Sequence, residues 1–318
     1  MSEVYPLKFA PIYKPKIWGG RNLERLFARH LPEGEQIGES WELADLSEGV
    51  SVVAEGPAAG ASLTEITSRW GDKLLGPAKP MPDGRFPLLV KLLDANDRLS
   101  LQVHPDAEAV RRIGPPAALK TECWYIVESR GGAIFKGIEP GISPERFREA
   151  IESDTVDQVV RRIDVAEGDF HYLPAGTVHA IGGGLVIAEV QTPSDTTYRV
   201  TDWGRGRQIH VDRSMQCIRF DLTDSQPGAD GDTLLATEYF TVARRSVPAG
   251  EEHPFAEGLC TAVMTLSGGG ALAGRADRGK AISIVAGETL LVPAGIKRPI
   301  FRAGTDTTFL EIRLPSQS

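Results

Sequence analysis

The chain has 318 residues, of which 41% are apolar and 25% charged, with a formal net charge of −8; this is length enough for two domains of ordinary size. No lysine/arginine run interrupts the acidic balance, which sets aside a nucleic-acid partner or an anionic membrane surface. Three scattered cysteines, Cys123, Cys217 and Cys260, do not make a disulfide framework.

The opening stretch, MSEVYPLKFAPIYKPKIWGG (1–20), has no apolar core of the export type. No later segment approaches the ~20 apolar residues of a membrane span. The expected compartment is therefore the cytoplasm. A helix is predicted over 62–76, with Ser62 as N-cap and Glu65 completing a capping box. Short strands follow at 86–94, 99–104 and 123–128. A second helical stretch spans 143–163, with Ser143 as N-cap and Pro144 in the first turn; Ser153-Asp154 divides it into two short helices. Further strands are predicted at 184–191, 289–295 and 308–314. Many short strands between Gly/Pro turns point to a sandwich or barrel, not a parallel α/β sheet.

An internal repeat organises these elements. GETLLVPAGIKR (287–298) is a second copy of GDFHYLPAGTVH (168–179), and GGAL (269–272) echoes GGAI (131–134). Gly132 and Gly168 are 36 residues apart and Gly270 and Gly287 are 17 apart, an excess of 19 that approximates the second helical stretch. The chain is thus predicted to be mainly β, with two small barrels, the first carrying helical insertions. The turn-rich SQPGADGD (225–232) separates a unit over 1–225 from one over 226–318.

The first copy concentrates the chemistry. His179 follows a Pro/Gly turn between two strands, and Gln102 and His104 share one face of a strand that Pro105 ends. Glu122 opens another strand, on the same face as Trp124. Two imidazoles, a carboxylate and an amide oxygen can hold one divalent metal with a coordination position left open. Copy two has Arg298 in place of His179 and Cys260 at the place of Glu122. An arginine keeps its proton and cannot ligate, so copy two is expected to be metal-free. Lys91 lies in the apolar run LLVKLLD, where its charge must either reach solvent or point into the barrel mouth. His171 is read as a packing or solvent residue, and His30, His210 and His253 have no partner pattern.

The set LSLQVHPD (99–106), KTE (120–122), YLPAGTVHAIG (172–182) and EVQTPSDTTYR (189–199), with WGG (18–20) and IGESWEL (37–43), resembles the type I mannose-6-phosphate isomerases, and within these cupins the short bacterial form. The resemblance runs from about residue 5 to the carboxyl end. It implies two cupin, jelly-roll-like barrels and one Zn²⁺ per chain on Gln102, His104, Glu122 and His179. It also implies interconversion of mannose 6-phosphate and fructose 6-phosphate, with active-site roles for Lys120, Glu189 and Arg199. Ser100, Lys91 and Lys136 would line the pocket near the phosphate. Longer members carry His-Lys-Pro-Glu where this chain has Leu119-Lys120-Thr121-Glu122, so a proton-transfer role for that histidine does not carry over.

Arg199 is expected to meet substrate oxygens, against the plainer reading of a salt bridge to Asp202. WGG and IGESWEL are expected to pack against the first barrel without a chemical role. Two other functions compete: an iron-dependent cupin dioxygenase and a non-catalytic carbohydrate-binding bicupin. Gln102, where such dioxygenases carry a first histidine, favours Lewis-acid chemistry over redox iron. Retention of Lys120, Glu189 and Arg199 counts against the non-catalytic form. The sequence leaves the oligomeric state open.

Overall fold

Alternation along one strand shows how the molecule is layered. In Leu185–Gln191, the side chains of Leu185, Ile187 and Glu189 face one way, and those of Val186, Ala188 and Val190 the other, all buried. A strand covered on both faces reads as a near-continuous apolar run, and its sheet must be sandwiched between other layers. The computed structural model describes residues 4–222, 224, 226–274 and 281–315. Ser225, at the head of the proposed boundary, and Met1–Glu3 lie outside the described residues.

Two pairs of sheets make up the core, and every strand pair in them is antiparallel. The first pair comprises a six-stranded sheet in the order Phe170–Leu173, Glu122–Ser129, Leu185–Gln191, Leu89–Ala95, Ile37–Leu43, Ile12–Gly20. Facing it is a five-stranded sheet in the order Val160–Asp164, Ala133–Ile138, His179–Ile181, Leu101–Val103, Tyr198–Thr201. The second pair joins a six-stranded sheet (Leu7–Lys8, Thr289–Val292, Thr261–Ser267, Thr307–Arg313, Thr241–Val247, Thr233–Ala236) to a four-stranded one (Glu252–Pro254, Pro299–Ala303, Gly269–Gly274, Ile282–Val285). The two six-stranded sheets pack back to back: Val90, Leu92, Ala188 and Val190 of one share a core with Ala262, Met264, Leu310 and Ile312 of the other. Leu7–Lys8 pairs with Leu290 and Leu291, so the amino-terminal segment adds an edge strand to the second pair.

The expected barrels are open sandwiches. Within each pair the two sheets face each other across side chains, and no hydrogen-bonded ladder among the described residues closes one onto the other. This is the double-sheet solution to exposed edges. The strand order supports the internal repeat: each large sheet contains the corresponding series of strands, and the Ala133–Ile138/Val160–Asp164 pair matches Gly269–Gly274/Ile282–Val285.

The helical stretches follow their caps. Ser62 and Glu65 form the reciprocal capping box over Leu63–Trp70, and Gly71 then separates a further turn, Asp72–Leu75. Ser143 caps Pro144–Glu152. The expected second short helix does not form. After Asp154, at φ 54°, there is one 3₁₀ turn (Val156–Gln158), and Val160–Asp164 is a strand on Ala133–Ile138. Val160 and Ile163 are three apart, a helical spacing, but as a strand they bury on opposite faces of the sheet, Val160 in the outer core and Ile163 against the inner one. Phe147, Ala150 and Ile151 of the helix cover the outer face of the five-stranded sheet against Leu101, Val103 and Ala180.

Register corrects one detail of the repeat. Glu122 stands opposite Leu173 and Gln191, and the residue opposite their counterparts Val292 and Arg313 is Thr261. Thr261, not Cys260, therefore occupies the Glu122 position; Cys260 points into the core between the sandwiches. Arg298 is exposed, in the left-handed region at φ 49°. Replacing it touches no core, so Arg298→Ala should change unfolding free energy by no more than about 0.5 kcal/mol and leave bound metal unchanged, as read by thermal unfolding and elemental analysis.

Candidate metal centre and active-site cavity

Two rows of side chains cross the interior of the first sandwich. Strand register aligns His171, Trp124, Glu189, Lys91 and Trp41 across the six-stranded sheet. It aligns Lys136, His179, Gln102 and Arg199 across the five-stranded one. The rows meet where the Trp124 and His179 rings stand edge to face, centroids 5.4 Å apart. Around them Leu93, Ile126, Ile134, Ile181 and Ile187 make an apolar shell.

At the centre lie His104, Glu122 and His179, with 2%, 0% and 1% of their surface exposed. One potential donor atom from each falls within 4.8 Å of the others. The Nε2 atom of His179 is 3.1 Å from Glu122 Oε1, and that of His104 is 3.5 Å from Oε2. Each imidazole is oriented from behind: Nδ1 of His104 donates to Thr196 O at 2.9 Å and Nδ1 of His179 to Thr177 O at 2.8 Å. That assignment leaves both Nε2 lone pairs aimed inward, as metal-binding histidines require. His104 Nε2 and both Glu122 oxygens lack a properly oriented hydrogen-bond partner, although Lys120 Nζ lies 3.0 Å from Glu122 Oε2. Gln102 Nε2 sits 3.3 Å from His179 Nε2; turning the amide over presents its oxygen instead.

Burial, then the Lys120 charge, pushes the His104 imidazole well below its ordinary range, which keeps it neutral. Burial alone would raise the Glu122 carboxyl, but the Lys120 ammonium beside it holds it well below its usual range. A neutral imidazole and an ionised carboxylate are the states in which these groups ligate. Orphaned donors, fixed tautomers and a borderline-soft N/O set together fit a divalent metal.

Beside this centre opens a cavity of about 340 Å³, within the size range of small-molecule sites. Ser100, Gln102, Lys120, Lys91, Glu189 and Arg199 all line it. Glu189 accepts from Trp124 Nε1 at 2.9 Å and from Lys91 Nζ at 3.1 Å. Lys136 is not brought to the cavity. From the far side of His179 its ammonium pairs with Asp224, in a separate cleft with Arg161 and Tyr172. Arg199 does not pair with Asp202, which is held by Arg205 and Arg207. Its Nη1 donates to Gln208 O at 2.6 Å, and its Nε has no hydrogen-bond partner. Lys16, Lys91, Lys120 and Arg207 each have a carboxylate partner. Arg199 is thus the cavity cation with no carboxylate partner among the described residues.

Sequence reasoning missed Lys16, Trp18, Glu39, Asp195, Thr197 and Arg207 on the cavity wall. The signal for two of them, Trp18 and Glu39, was present in WGG and IGESWEL, whose chemical content depends on backbone proximity. A Cβ on Gly38 would lie 2.6 Å from Lys16 Cβ and 2.7 Å from the Trp18 ring, so glycine lets the edge strand fold inward here. His171 fills the end of its row, consistent with packing. His210 Nδ1 accepts from the Arg199 backbone N–H at 3.0 Å, and His253 lies 3.4 Å from Glu311 in the second sandwich.

Burial raises the Glu39 carboxyl, but Lys91, Lys16 and the Trp41 indole outweigh it and hold the pKa at about 2. A carboxyl depressed on folding contributes stability that is fully present above its unfolded value and is lost as pH falls through the folded one. Between pH 4.5 and about 2, denaturant titrations should show a loss on the order of 3 kcal/mol that is absent in Glu39→Gln.

Comparison with known proteins places this geometry. Residues 7–126 match the family profile "Phosphomannose isomerase type I, catalytic domain". The mannose-6-phosphate isomerase of Streptococcus mutans is 40% identical over 242 residues, covering 71% of this chain and 74% of that protein. The crystal structure of the Bacillus subtilis mannose 6-phosphate isomerase superposes with a TM-score of 0.86 at 28% identity, over 97% of this chain and 99% of that one. A zinc-bound mannose 6-phosphate isomerase has the same fold, with a TM-score of 0.77 at 16% identity over 97% and 99% of the two chains. By this identity and coverage, the chain belongs to the type I phosphomannose isomerase family.

Proposed function

We propose that this mannose-6-phosphate isomerase moves a proton between C2 and C1 of its open-chain substrate through an enediol(ate), with one zinc ion held by Gln102, His104, Glu122 and His179. The observation that carries this reading is the cluster of bare, inward-facing donors beside a polar cavity. Zinc bound there would supply Lewis-acid polarisation of substrate oxygens without redox chemistry.

The remaining work falls to side chains. Converting aldose to ketose removes the C2 proton and returns one to C1, so one group within reach of both carbons can carry it. Glu189 suits that role, because its carboxylate lines the cavity and both of its oxygens are held by neighbours. Lys120, on the cavity wall beside Glu122, would assist ring opening or orient the sugar. Arg199 would stabilise negative charge on the enediolate or on substrate oxygens, a role supported by its lack of a carboxylate partner. Ser100 and Lys91 would line the phosphate end of the cavity, Lys91 with its charge already shared between Glu189 and Glu39. Lys136 would influence the site only from behind His179. We further propose that residues 1–225 form the catalytic unit and 226–318 a metal-free one. A cytoplasmic location is supported by three free, buried cysteines; no helix among the described residues is long and apolar enough to cross a membrane.

A coupled assay of mannose 6-phosphate conversion tests the metal. Activity should be lost on chelation, return with zinc, and fall at least about 100-fold in His104→Ala; full turnover by metal-free protein would overturn the reading. In Arg199→Ala, kcat should drop about 100-fold while bound zinc stays at wild-type content. Equal loss of both would make Arg199 a structural residue.

A further inference from the structure

We propose that Glu39 is a positioning residue for isomerisation: acting through Lys91, it holds the Glu189 carboxylate in its working orientation. This rests on the reading of Glu189 as the proton-transfer group.

Four groups of alternating charge, Lys16, Glu39, Lys91 and Glu189, run along one wall of the cavity. They come from four successive neighbours in one sheet, Ile12–Gly20, Ile37–Leu43, Leu89–Ala95 and Leu185–Gln191. One Glu189 oxygen is fixed by Trp124, a rigid and fully buried indole. The other depends on Lys91, whose ammonium ends a flexible four-carbon stem. Something must hold that ammonium, or its attraction to Glu189 sets no geometry.

Glu39 supplies the hold. Its Oε2 lies 3.7 Å from Lys91 Nζ, opposite the 3.1 Å contact to Glu189. Trp41 completes the seat: its indole N–H donates to Glu39 Oε2 at 2.7 Å, and its ring lies under Lys91 Nζ at 5.5 Å. Lys16 Nζ, 3.0 Å from Oε1, anchors the outer oxygen. With Glu39 neutral, Lys91 would have Glu189 as its sole carboxylate partner among the described residues and would draw that carboxylate toward itself. The four charges sum to zero, so this wall places no net charge beside an anionic substrate. None of Glu39's contacts is with the four proposed metal ligands, which separates its effect from metal loss.

The test is steady-state kinetics on zinc-loaded, full-length enzyme with mannose 6-phosphate, together with measured zinc content. Glu39→Gln should lower kcat about 10- to 100-fold, since a small misplacement of a reacting group costs that much. KM should stay within about threefold, which marks loss of transition-state and not ground-state binding. Zinc content should not change, and Glu39→Asp, which keeps the charge, should recover most of kcat. If Glu39 acts only through Glu189, the double variant with Glu189→Gln should be no slower than Glu189→Gln alone. The proposal is overturned by wild-type kcat in Glu39→Gln, by a rise in KM alone, by zinc loss in proportion to kcat, or by additive single-variant losses. Wild-type kcat in Glu189→Gln would instead refute the underlying assignment of the proton-transfer group, whatever Glu39 does.

Discussion

Charge buried between two apolar sheets is the constraint that governs this molecule. Glu122 is completely inaccessible, and Lys91, Lys120, Lys136 and Glu189 are nearly so. An isolated ion in such a setting would neutralise or force the sheets apart. Here each has an opposite charge within 3.7 Å or a close ion pair: Lys120 with Glu122, Lys91 with Glu189 and Glu39, and Lys136 with Asp224. Pairing offsets the cost of burial, and where both partners are buried, as in Lys120 with Glu122 and Lys91 with Glu189, the low-dielectric surroundings strengthen the attraction. His104 Nε2 and both Glu122 oxygens, gathered with His179 Nε2 at one buried point, are left without a well-formed hydrogen bond of their own. That residue of unmet bonding is the physical basis for a metal.

The layers outside the site keep the two rows in place. Pro144–Glu152, Ala107–Ile113 and Val211–Cys217 cover the back of the five-stranded sheet, so the row of His179, Gln102 and Arg199 is held from outside by packed apolar side chains. The second sandwich covers the back of the six-stranded sheet that carries Glu189 and Lys91. Copy two retains Glu311 at the register position of Glu189 but has Val263 where Trp124 stands, and Phe301 and Phe309 fill its interior. Among the described residues, no second group of three or more His, Cys, Asp or Glu donors is gathered there.

Much of the metal centre could be read locally. Gln102 and His104 share a strand face by simple alternation, and His179 is marked by the turn that precedes it. The comparison with copy two then isolates Glu122, although counting residues placed its counterpart one position too early, at Cys260 instead of Thr261. Glu39 shows the opposite case. Its strand pattern announced a packed element, but its charge became meaningful only once Ile37–Leu43 lay beside Leu89–Ala95. Lys136 is the converse: it sits in register with His179, yet its long side chain leaves the cavity for Asp224, 88 residues away. Arg199 likewise loses its nearest sequence candidate, because Arg205 and Arg207 already hold Asp202.

By itself the sequence determined the strand-rich class, the duplication, the helix caps and the donor types, since each depends on spacings of a few residues or on likeness between segments. Tertiary structure alone decided that the barrels stay open as facing sheets, that Val160–Asp164 joins a sheet edge, and which cations find carboxylate partners. Those outcomes depend on which strands become neighbours and how far flexible side chains reach across them, and no local pattern encodes either.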